Sequence, residues 1–323
     1  MHAQPLGTRM KIVVLAPQAA GHMESIHHAA PAADVVEVSD EVRLLEAVVD
    51  AEILLTGMFG DDLLDAAARL KWVQVSSAGI DLMPREAVAK KGWQVTNAAG
   101  IHAIPVAETA IALLSGLARR LNLTMRTQLQ GEWNQPAAVY ELFEKTIGII
   151  AMGGIGRAMA DRARGLGMRV IAVDVNPASK PDSVEELRGI DELGWMLGAA
   201  DIVCMTAPDT PKSHHMMNAE RFAQMKDGSI FINVSRGGLV DTDALMTVLD
   251  SGRFFGVGLD VIEGEPLKPD HPIWAHENVL ITPHFGGKSP RRVERLIELF
   301  AENLRRYQAG QPLRNRVDLK AGF

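Results

Sequence analysis

The chain has 323 residues, of which 47% are hydrophobic and 23% charged, a composition typical of globular proteins with about two domains. Its formal net charge is −7 and no segment is rich in lysine and arginine, which argues against a nucleic acid as a main partner. The single cysteine, Cys204, excludes an internal disulfide and favours a reducing, cytoplasmic location. No apolar stretch approaches the ~20 residues of a membrane span, so we expect no membrane partner.

The first hundred residues alternate short apolar runs with segments of helical pattern. The runs are rich in β-branched residues and bounded by turn residues, which is typical of buried parallel strands. They lie at 11–16, 34–39, 52–57, 71–77 and 93–98. This part of the chain therefore predicts one α/β unit.

A long, largely apolar helix is predicted next, over 105–121, and Pro105 suits its first position. Such a helix has to be covered, either by its own domain or by a second subunit. From residue 146 the alternation resumes, and it predicts a doubly wound sheet followed by an amphipathic helix that ends at Gly310. The six strands predicted for this sheet are 147–151, 169–174, 201–206, 229–234, 256–260 and 279–282.

The segment TIGIIAMGGIGRAMA, at 146–160, has the order of strand, glycine turn and helix that holds a dinucleotide pyrophosphate. In such a turn the first glycine eases a tight bend, the second lets the backbone approach the pyrophosphate, and the third lets helix and strand pack closely. Ala151 replaces the first, while Gly153 and Gly156 keep the other two positions. A helix beginning near Gly154 and Ile155 offers N–H groups and a positive dipole end to an anion. We therefore expect cofactor contacts at Gly153, Gly154, Ile155 and Gly156.

Asp174 ends the next predicted strand, 18 residues after Gly156. A carboxylate at this place accepts a hydrogen bond from the ribose 2′-hydroxyl of a dinucleotide. Because it would also repel a 2′-phosphate, we expect NAD(H) to be favoured over NADP(H). A purely structural turn, with Asp174 capping a helix, is the alternative.

Three further strand ends carry a cation, a carboxylate and an imidazole. Arg236 follows one predicted strand, Glu265 follows the strand that ends near Asp260, and His284 follows the last. Ligands of open α/β sheets bind beyond the carboxyl ends of the strands, where these side chains can converge. Arg236 can bind a substrate carboxylate and polarise a keto oxygen, and His284, paired with Glu265, can donate the proton that accompanies a hydride. Each of these three residues taken alone could have a structural role. Together, and in this order after the glycine turn, they predict hydride transfer to a 2-oxo acid.

The motifs NVSRGGLVDTDAL, GLDVIEGEPLKPDHPIW and NVLITPHFGG resemble those of the D-isomer-specific 2-hydroxyacid dehydrogenases. TIGIIAMGGIGRAM and VIAVDVNP are similar to the cofactor segments of that family. The resemblance implies an α/β protein of two doubly wound domains, a flavodoxin-like substrate domain and a Rossmann NAD-binding domain, with a cleft between them. It places the substrate domain at 1–100 plus 288–323 and the NAD-binding domain at 101–287. It further implies a homodimer formed through the helix at 105–121.

The resemblance also implies roles for individual positions. Arg236 resembles the substrate-binding arginine, His284 the acid/base, and Glu265 the glutamate that partners it. The segment SSAGID resembles the loop that holds the substrate carboxylate with backbone N–H groups, here at Ser77, Ala78 and Gly79. The remaining expected cofactor contacts are Ala207, Val234, Ser235, Asp260, which is similar to the family's aspartate near the nicotinamide carboxamide, and Gly287.

Some positions depart from the family pattern. Besides Ala151, Glu144 stands where glycine is usual, and Thr206 stands where histidine is frequent. No metal site is expected, and His214 and His215 are assigned to the surface or to the edge of the cofactor site.

The expected activity is NADH-dependent reduction of a small 2-oxo acid such as glyoxylate, hydroxypyruvate or an arylpyruvate. Two alternatives stay open at this point. One is an NAD(H)-sensing binding protein similar to transcriptional corepressors, and the other is a dehydrogenase of another donor, such as phosphite.

Overall fold

A computed structural model describes residues 9–57, 59–80 and 83–320 of the chain. The chain divides into two units, one formed by residues 1–102 and 289–323 and the other by residues 103–288. Each unit contains one parallel sheet, with five described strands in the first and seven in the second.

The first unit contains the strands β1 (Lys11–Leu15), β2 (Asp34–Val38), β3 (Ile53–Thr56), β4 (Trp72–Val75) and β5 (Gln94–Thr96). Its helices are α1 (Met23–Ala29), α2 (Glu41–Ala47), α3 (Asp61–Ala66) and α4 (Arg85–Lys91), together with the last helix of the chain, α11 (Arg292–Gln308).

The second unit contains the strands β6 (Thr146–Ile150), β7 (Arg169–Asp174), β8 (Glu186–Gly189), β9 (Ile202–Met205), β10 (Ile230–Asn233), β11 (Gly256–Leu259) and β12 (Val279–Ile281). Its helices are α5 (Ala103–Ala118), α6 (Leu121–Leu129), α7 (Gly154–Gly165), α8 (Leu193–Ala199), α9 (Ala219–Gln224) and α10 (Thr242–Asp250). The helix α11 (Arg292–Gln308) follows in the first unit.

The first sheet has the order β2-β1-β3-β4-β5, and all its described pairs are parallel. Its five strands lie where the apolar runs predicted them. The helix α11 covers one face of this sheet, because Leu296, Phe300 and Leu304 recur at the spacing of one helical face. Phe300 packs against the buried indole of Trp72, with the ring centroids 5.2 Å apart.

The second sheet has the order β12-β11-β10-β9-β6-β7-β8. From β6 the chain runs outward through β7 and β8, and it then returns to β9 on the other side of β6. The turn after β6 therefore lies at the topological switch point, where ligands of doubly wound sheets bind. The sequence prediction of six strands was wrong by one, because β8 is a partly exposed edge strand of sequence ELRG that lacks an apolar run.

The apolar helix α5 begins at Ala103 and ends at Ala118, so Pro105 is its third residue and not its first. The first-turn N–H groups of a helix have no partner within it, which is why proline is tolerated there. Leu113, Leu114 and Leu117 are buried in the core of their own unit. Within the described ranges, none of the helices combines the length and the hydrophobicity that a membrane span requires.

Candidate active site

The glycine turn connects β6 with α7 at the switch point of the second sheet. Gly153 is the N-cap of α7, in extended backbone geometry, and no side chain caps the N–H groups of the first turn. A Cβ on Gly156 would lie under 3.0 Å from the carbonyl oxygen of Ala151, a separation that real Cβ atoms essentially never show. A Cβ on Gly153 would meet no described heavy atom within 4 Å. The third glycine is thus required by packing, while the second keeps open space before an uncapped helix N-terminus, which fits a pyrophosphate.

Ala151 adopts a left-handed backbone conformation, with φ of +77°. This explains why a glycine suits the position, since a Cβ is disfavoured in that region. The turn is held by Thr206, which lies directly after β9 and is buried. The Thr206 hydroxyl oxygen lies 2.9 Å from the carbonyl oxygen of Ile150 and 2.8 Å from that of Ala151. In the sequence Thr206 is only a departure from the family pattern, and no local motif predicts its role in the turn.

Asp174 ends β7 beside the same turn. One carboxylate oxygen accepts a hydrogen bond from the backbone N–H of Met152 at 2.6 Å, and the other accepts one from the N–H of Asn176 at 2.7 Å. A carboxylate has about four acceptor sites, so roughly half remain for a ligand hydroxyl. The side chain therefore braces the turn and keeps the capacity to bind a ribose.

Arg236, Glu265 and His284 follow three neighbouring strands, β10, β11 and β12. The structure brings two of them into contact, because His284 Nδ1 lies 2.7 Å from Glu265 Oε2. The other oxygen of Glu265 accepts a hydrogen bond from the backbone N–H of Ile262 at 2.8 Å, which fixes the carboxylate. Since Nδ1 is engaged and the His284 side chain is 51% exposed, Nε2 is the nitrogen that remains to exchange a proton with a ligand. A cavity of about 450 Å³ adjoins this pair.

Asp260 is only 3% exposed and organises the loop that carries His284. Its carboxylate accepts hydrogen bonds from the Thr282 hydroxyl at 2.6 Å and from the backbone N–H groups of Phe285 and Gly286 at 3.2 and 2.9 Å. In this structure the aspartate is thus a brace for the loop. Its expected contact with the nicotinamide carboxamide stays a prediction.

The turn that carries Arg236 is organised by Asn233, a buried residue that the sequence analysis missed. The Asn233 side chain donates to the carbonyl oxygen of Arg236 at 3.0 Å and accepts from the backbone N–H and the hydroxyl of Ser235. The available signal was one amide at the end of an otherwise apolar strand. The Arg236 guanidinium donates to the carbonyl oxygen of Ser235 at 2.8 Å.

The other expected cofactor contacts differ in exposure. Ala207, Val234 and Ser235 are buried, so a ligand would meet their backbone more readily than their side chains. Gly287 is half-buried in the loop after His284.

The predicted substrate loop belongs to the first unit and follows β4. Its conformation is held by the Asn97 side chain, which donates to the carbonyl oxygen of Ala78, and by the Ser77 hydroxyl, which donates to that of Gly79, both at 2.8 Å. The backbone N–H groups of Ala78 and Gly79 donate no hydrogen bond to any described residue. Two adjacent N–H groups of this kind can bind a carboxylate.

Within the described ranges, one group of side chains has the composition of a metal site, namely His214, His215 and Glu263, with ligand atoms within 4.8 Å of one another. The two imidazoles stack, however, with centroids 4.0 Å apart and planes inclined by 20°. Ligating nitrogens bind a metal in the plane of their ring, so two rings stacked nearly in parallel disfavour a shared metal ion. His215 Nε2 also already contacts Glu263 Oε1 at 3.0 Å. The arrangement is that of an ion pair beside the predicted active site.

A glycine turn at the switch point, a strand-end carboxylate and an oriented histidine–glutamate pair define a class, the NAD-linked oxidoreductases of α/β fold. Residues 111–286 match the NAD-binding domain of the D-isomer-specific 2-hydroxyacid dehydrogenases.

Relatives of known name extend the match. The glyoxylate reductase of Thermococcus onnurineus is 35% identical over 291 residues, 86% of each chain, and that of Korarchaeum cryptofilum is 34% identical over 285 residues, 85% of each. A solved structure of a D-isomer-specific 2-hydroxyacid dehydrogenase from Xanthobacter autotrophicus, in complex with NADPH and MES, has a TM-score of 0.81 and 28% identity and covers 98% of this chain and 100% of its own. The chain belongs to the D-isomer-specific 2-hydroxyacid dehydrogenase family, and it is an oxidoreductase that acts on CH–OH groups with a nicotinamide cofactor.

Proposed function

We propose that the protein reduces a small 2-oxo acid of the glyoxylate, hydroxypyruvate or arylpyruvate type with NADH, and that Arg236, Glu265 and His284 carry the reaction. The 2.7 Å contact between His284 and Glu265 carries the proposal, because it lies at the edge of the sheet that holds the glycine turn. The names of two relatives, both glyoxylate reductases, support the substrate class.

The chemistry of each residue follows from its surroundings. Glu265 holds Nδ1 of His284, so that Nε2 carries the proton delivered to the keto oxygen. Arg236 binds the substrate carboxylate with its planar fork and polarises the carbonyl. A bound nicotinamide supplies the hydride.

NADH is the proposed cofactor because Asp174 presents a negative charge where the ribose 2′-position is expected. A 2′-phosphate would lie beside this carboxylate and be repelled. The Xanthobacter relative holds NADPH, so a direct comparison of the two cofactors is part of the test. We expect Asp174→Ala to weaken NADH binding and to bring the NADH and NADPH affinities closer together.

A homodimer is proposed from apolar side chains that the second unit leaves exposed. They lie on α6 and in the segment after it: Leu121, Met125, Leu129, which is 89% exposed, and Trp133, which is 96% exposed. Leu121, Met125 and Leu129 recur every four residues and so share one face of α6, and exposed apolar surface of this kind is typical of an interface. Sedimentation velocity of the wild type and of Leu129→Glu tests it, with a shift to monomer expected in the variant.

A cytoplasmic location is proposed as well. Cys204 is fully buried, and burial raises the pKa of its thiol to about 12, so that the thiol is inert. One buried thiol fits a reducing compartment.

The decisive experiment follows NADH and then NADPH absorbance at 340 nm against a panel of 2-oxo acids. We expect oxidation of NADH with at least one acid and a loss of about 10²–10⁴-fold in kcat for His284→Asn. His27→Asn, at an exposed histidine on α1, is the matched control and should keep full activity. NADH binding without turnover of any acid would refute the reductase, and absence of binding by either cofactor would refute the cofactor site.

A further inference from the structure

The loop that carries Glu265 lies directly against the turn that carries Arg236. A Cβ on Gly237 would lie 2.5 Å from the backbone nitrogen of Glu263 and under 3.0 Å from the backbone of Ile262. Only a glycine permits this approach of two backbones. The positions of the two loops are therefore coupled.

Glu263 is held from two other segments at this contact. His215 Nε2 lies 3.0 Å from one carboxylate oxygen, and the hydroxyl of Thr242 lies 3.4 Å from the other. His215 is itself fixed to the Arg236 turn, because its backbone N–H donates to the carbonyl oxygen of Gly238 at 2.8 Å. The carboxylate thus connects the segments before and after Arg236 with the loop of Glu265.

The backbone of His215 is left-handed, with φ of +50°. Histidine is among the few non-glycine residues enriched in this region. The conformation accompanies the stacking of the His214 and His215 rings, whose centroids are 4.0 Å apart although the residues are adjacent. In this arrangement His215 Nε2 lies within hydrogen-bond distance of the Glu263 carboxylate.

A continuous set of contacts leads from His215 to His284. His215 holds Glu263, and the preceding residue, Ile262, donates its N–H to Glu265 Oε1 at 2.8 Å. The other oxygen of Glu265 holds His284 Nδ1 at 2.7 Å. Moving Glu263 would therefore move the donor that orients Glu265.

Several charged groups face His215. The hydrogen bond to Glu263 is the main cause that raises the pKa of His215, and the charges of Glu263, Asp241 and Asp209 act in the same direction. His214 stacks on it and lies 3.9 Å from Asp209. The pair with Glu263 is therefore charged over a wider range of pH than an isolated histidine would allow.

We propose that His215 and Glu263 are positioning residues of the reaction, which act through Ile262 and Glu265 to hold His284. The inference rests on the proposed function of His284 and Glu265. It assigns His215 and Glu263 no contact with substrate or cofactor.

The variants Glu263→Gln and His215→Asn test it, because glutamine keeps the shape of the carboxylate and asparagine tolerates a left-handed backbone. We expect kcat to fall about tenfold in each, with little change in KM or in NADH affinity, since one charge-assisted hydrogen bond in a positioning chain is lost. The double variant should resemble either single variant, because the two residues act as a unit. Glu185→Gln, which breaks the exposed 3.1 Å pair with Arg169, is the matched control and should behave as wild type.

The pH profile and a spectroscopic signal separate positioning from a merely structural role. Loss of the His215 proton should add to the alkaline fall of the wild-type kcat, and Glu263→Gln should remove only that added part. The NMR signal of the His284 ring N–H, protected by Glu265 in the wild type, should shift or broaden in Glu263→Gln but not in Glu185→Gln. If the wild type has no activity, the proposed function is refuted. The His284 signal then still tests whether Glu263 positions His284, because it requires no turnover. Unchanged kcat and an unchanged His284 signal in both single variants, or multiplied effects in the double variant, would overturn the inference.

Discussion

The glycine turn allows a sharp test, because its third glycine is required by packing, whereas its second is proposed to admit a pyrophosphate. In Gly156→Ala the new Cβ would meet the carbonyl oxygen of Ala151 under 3.0 Å and the Thr206 hydroxyl at 3.1 Å. Both neighbours belong to a hydrogen-bonded turn and cannot move freely. In Gly153→Ala the new Cβ meets no described heavy atom within 4 Å.

The expected magnitudes follow from these distances. Overpacking costs about 1–3 kcal/mol, and more where backbone must shift, while alanine in a helix gains about 1 kcal/mol over glycine. We therefore expect Gly156→Ala to lower the free energy of unfolding by about 2 kcal/mol. For Gly153→Ala the small N-cap loss and the reduced entropy of the unfolded chain nearly cancel, so that the change stays within about 1 kcal/mol of zero.

The affinity for NADH should distinguish the two variants in the opposite way to stability, because Gly153→Ala should lose more affinity than Gly156→Ala. The Cβ of Gly153→Ala enters the space before the N-terminus of α7, and we expect at least about a tenfold loss of NADH affinity, or about 1.4 kcal/mol. Urea denaturation followed by circular dichroism measures stability, and NADH fluorescence measures affinity. Wild-type NADH affinity in Gly153→Ala would refute the approach of the pyrophosphate to this backbone. Wild-type stability in Gly156→Ala would refute the close contact between helix and turn.

Three further outcomes are expected. Thr206→Val should lower the free energy of unfolding by about 1–3 kcal/mol in urea denaturation, because the carbonyl of Ala151 loses its hydrogen-bond donor. Thr206→Ser keeps a hydroxyl and should therefore retain most of the wild-type free energy of unfolding. Arg236→Lys should lower kcat/KM for the 2-oxo acid by about 10²-fold in steady-state assays and leave NADH affinity unchanged, because the ammonium lacks the planar fork. Since the pKa of His215 is raised in the folded state, its pair with Glu263 stabilises the fold fully below about pH 6.5, and this contribution is lost as the pH rises through the raised value. Denaturation of His215→Asn across that window should show a flatter pH dependence, and a slope equal to that of the wild type would contradict the assignment.

The fold class was predictable because every described strand except β8 is a short apolar run between turn residues. The family assignment was predictable as well, since its motifs are long and ordered. The edge strand β8 was missed, because this partly exposed strand at the end of the sheet lacks a continuous apolar run. The start of α5 was missed by two residues, because proline is tolerated throughout a first helical turn.

The candidate site divides in the same way. The sequence predicted which residues would carry the chemistry, because Arg236, Glu265 and His284 each follow a strand whose neighbours are set by the doubly wound topology. Only the tertiary structure decided which of them touch, and how each is held. Buried braces such as Thr206 and Asn233 bond to backbone that is distant or turned, and this leaves no local pattern in the sequence.

Two departures from the family pattern show the difference most clearly. From the sequence, Ala151 and Glu144 were substitutions at positions where glycine is usual. The structure places both in the left-handed region, with φ of +77° and +62°. The residue types along the chain thus determined the fold and the chemical groups of the candidate site. Backbone conformation and hydrogen-bond partners were decided by contacts between segments far apart in sequence, because those contacts form only when the sheet assembles.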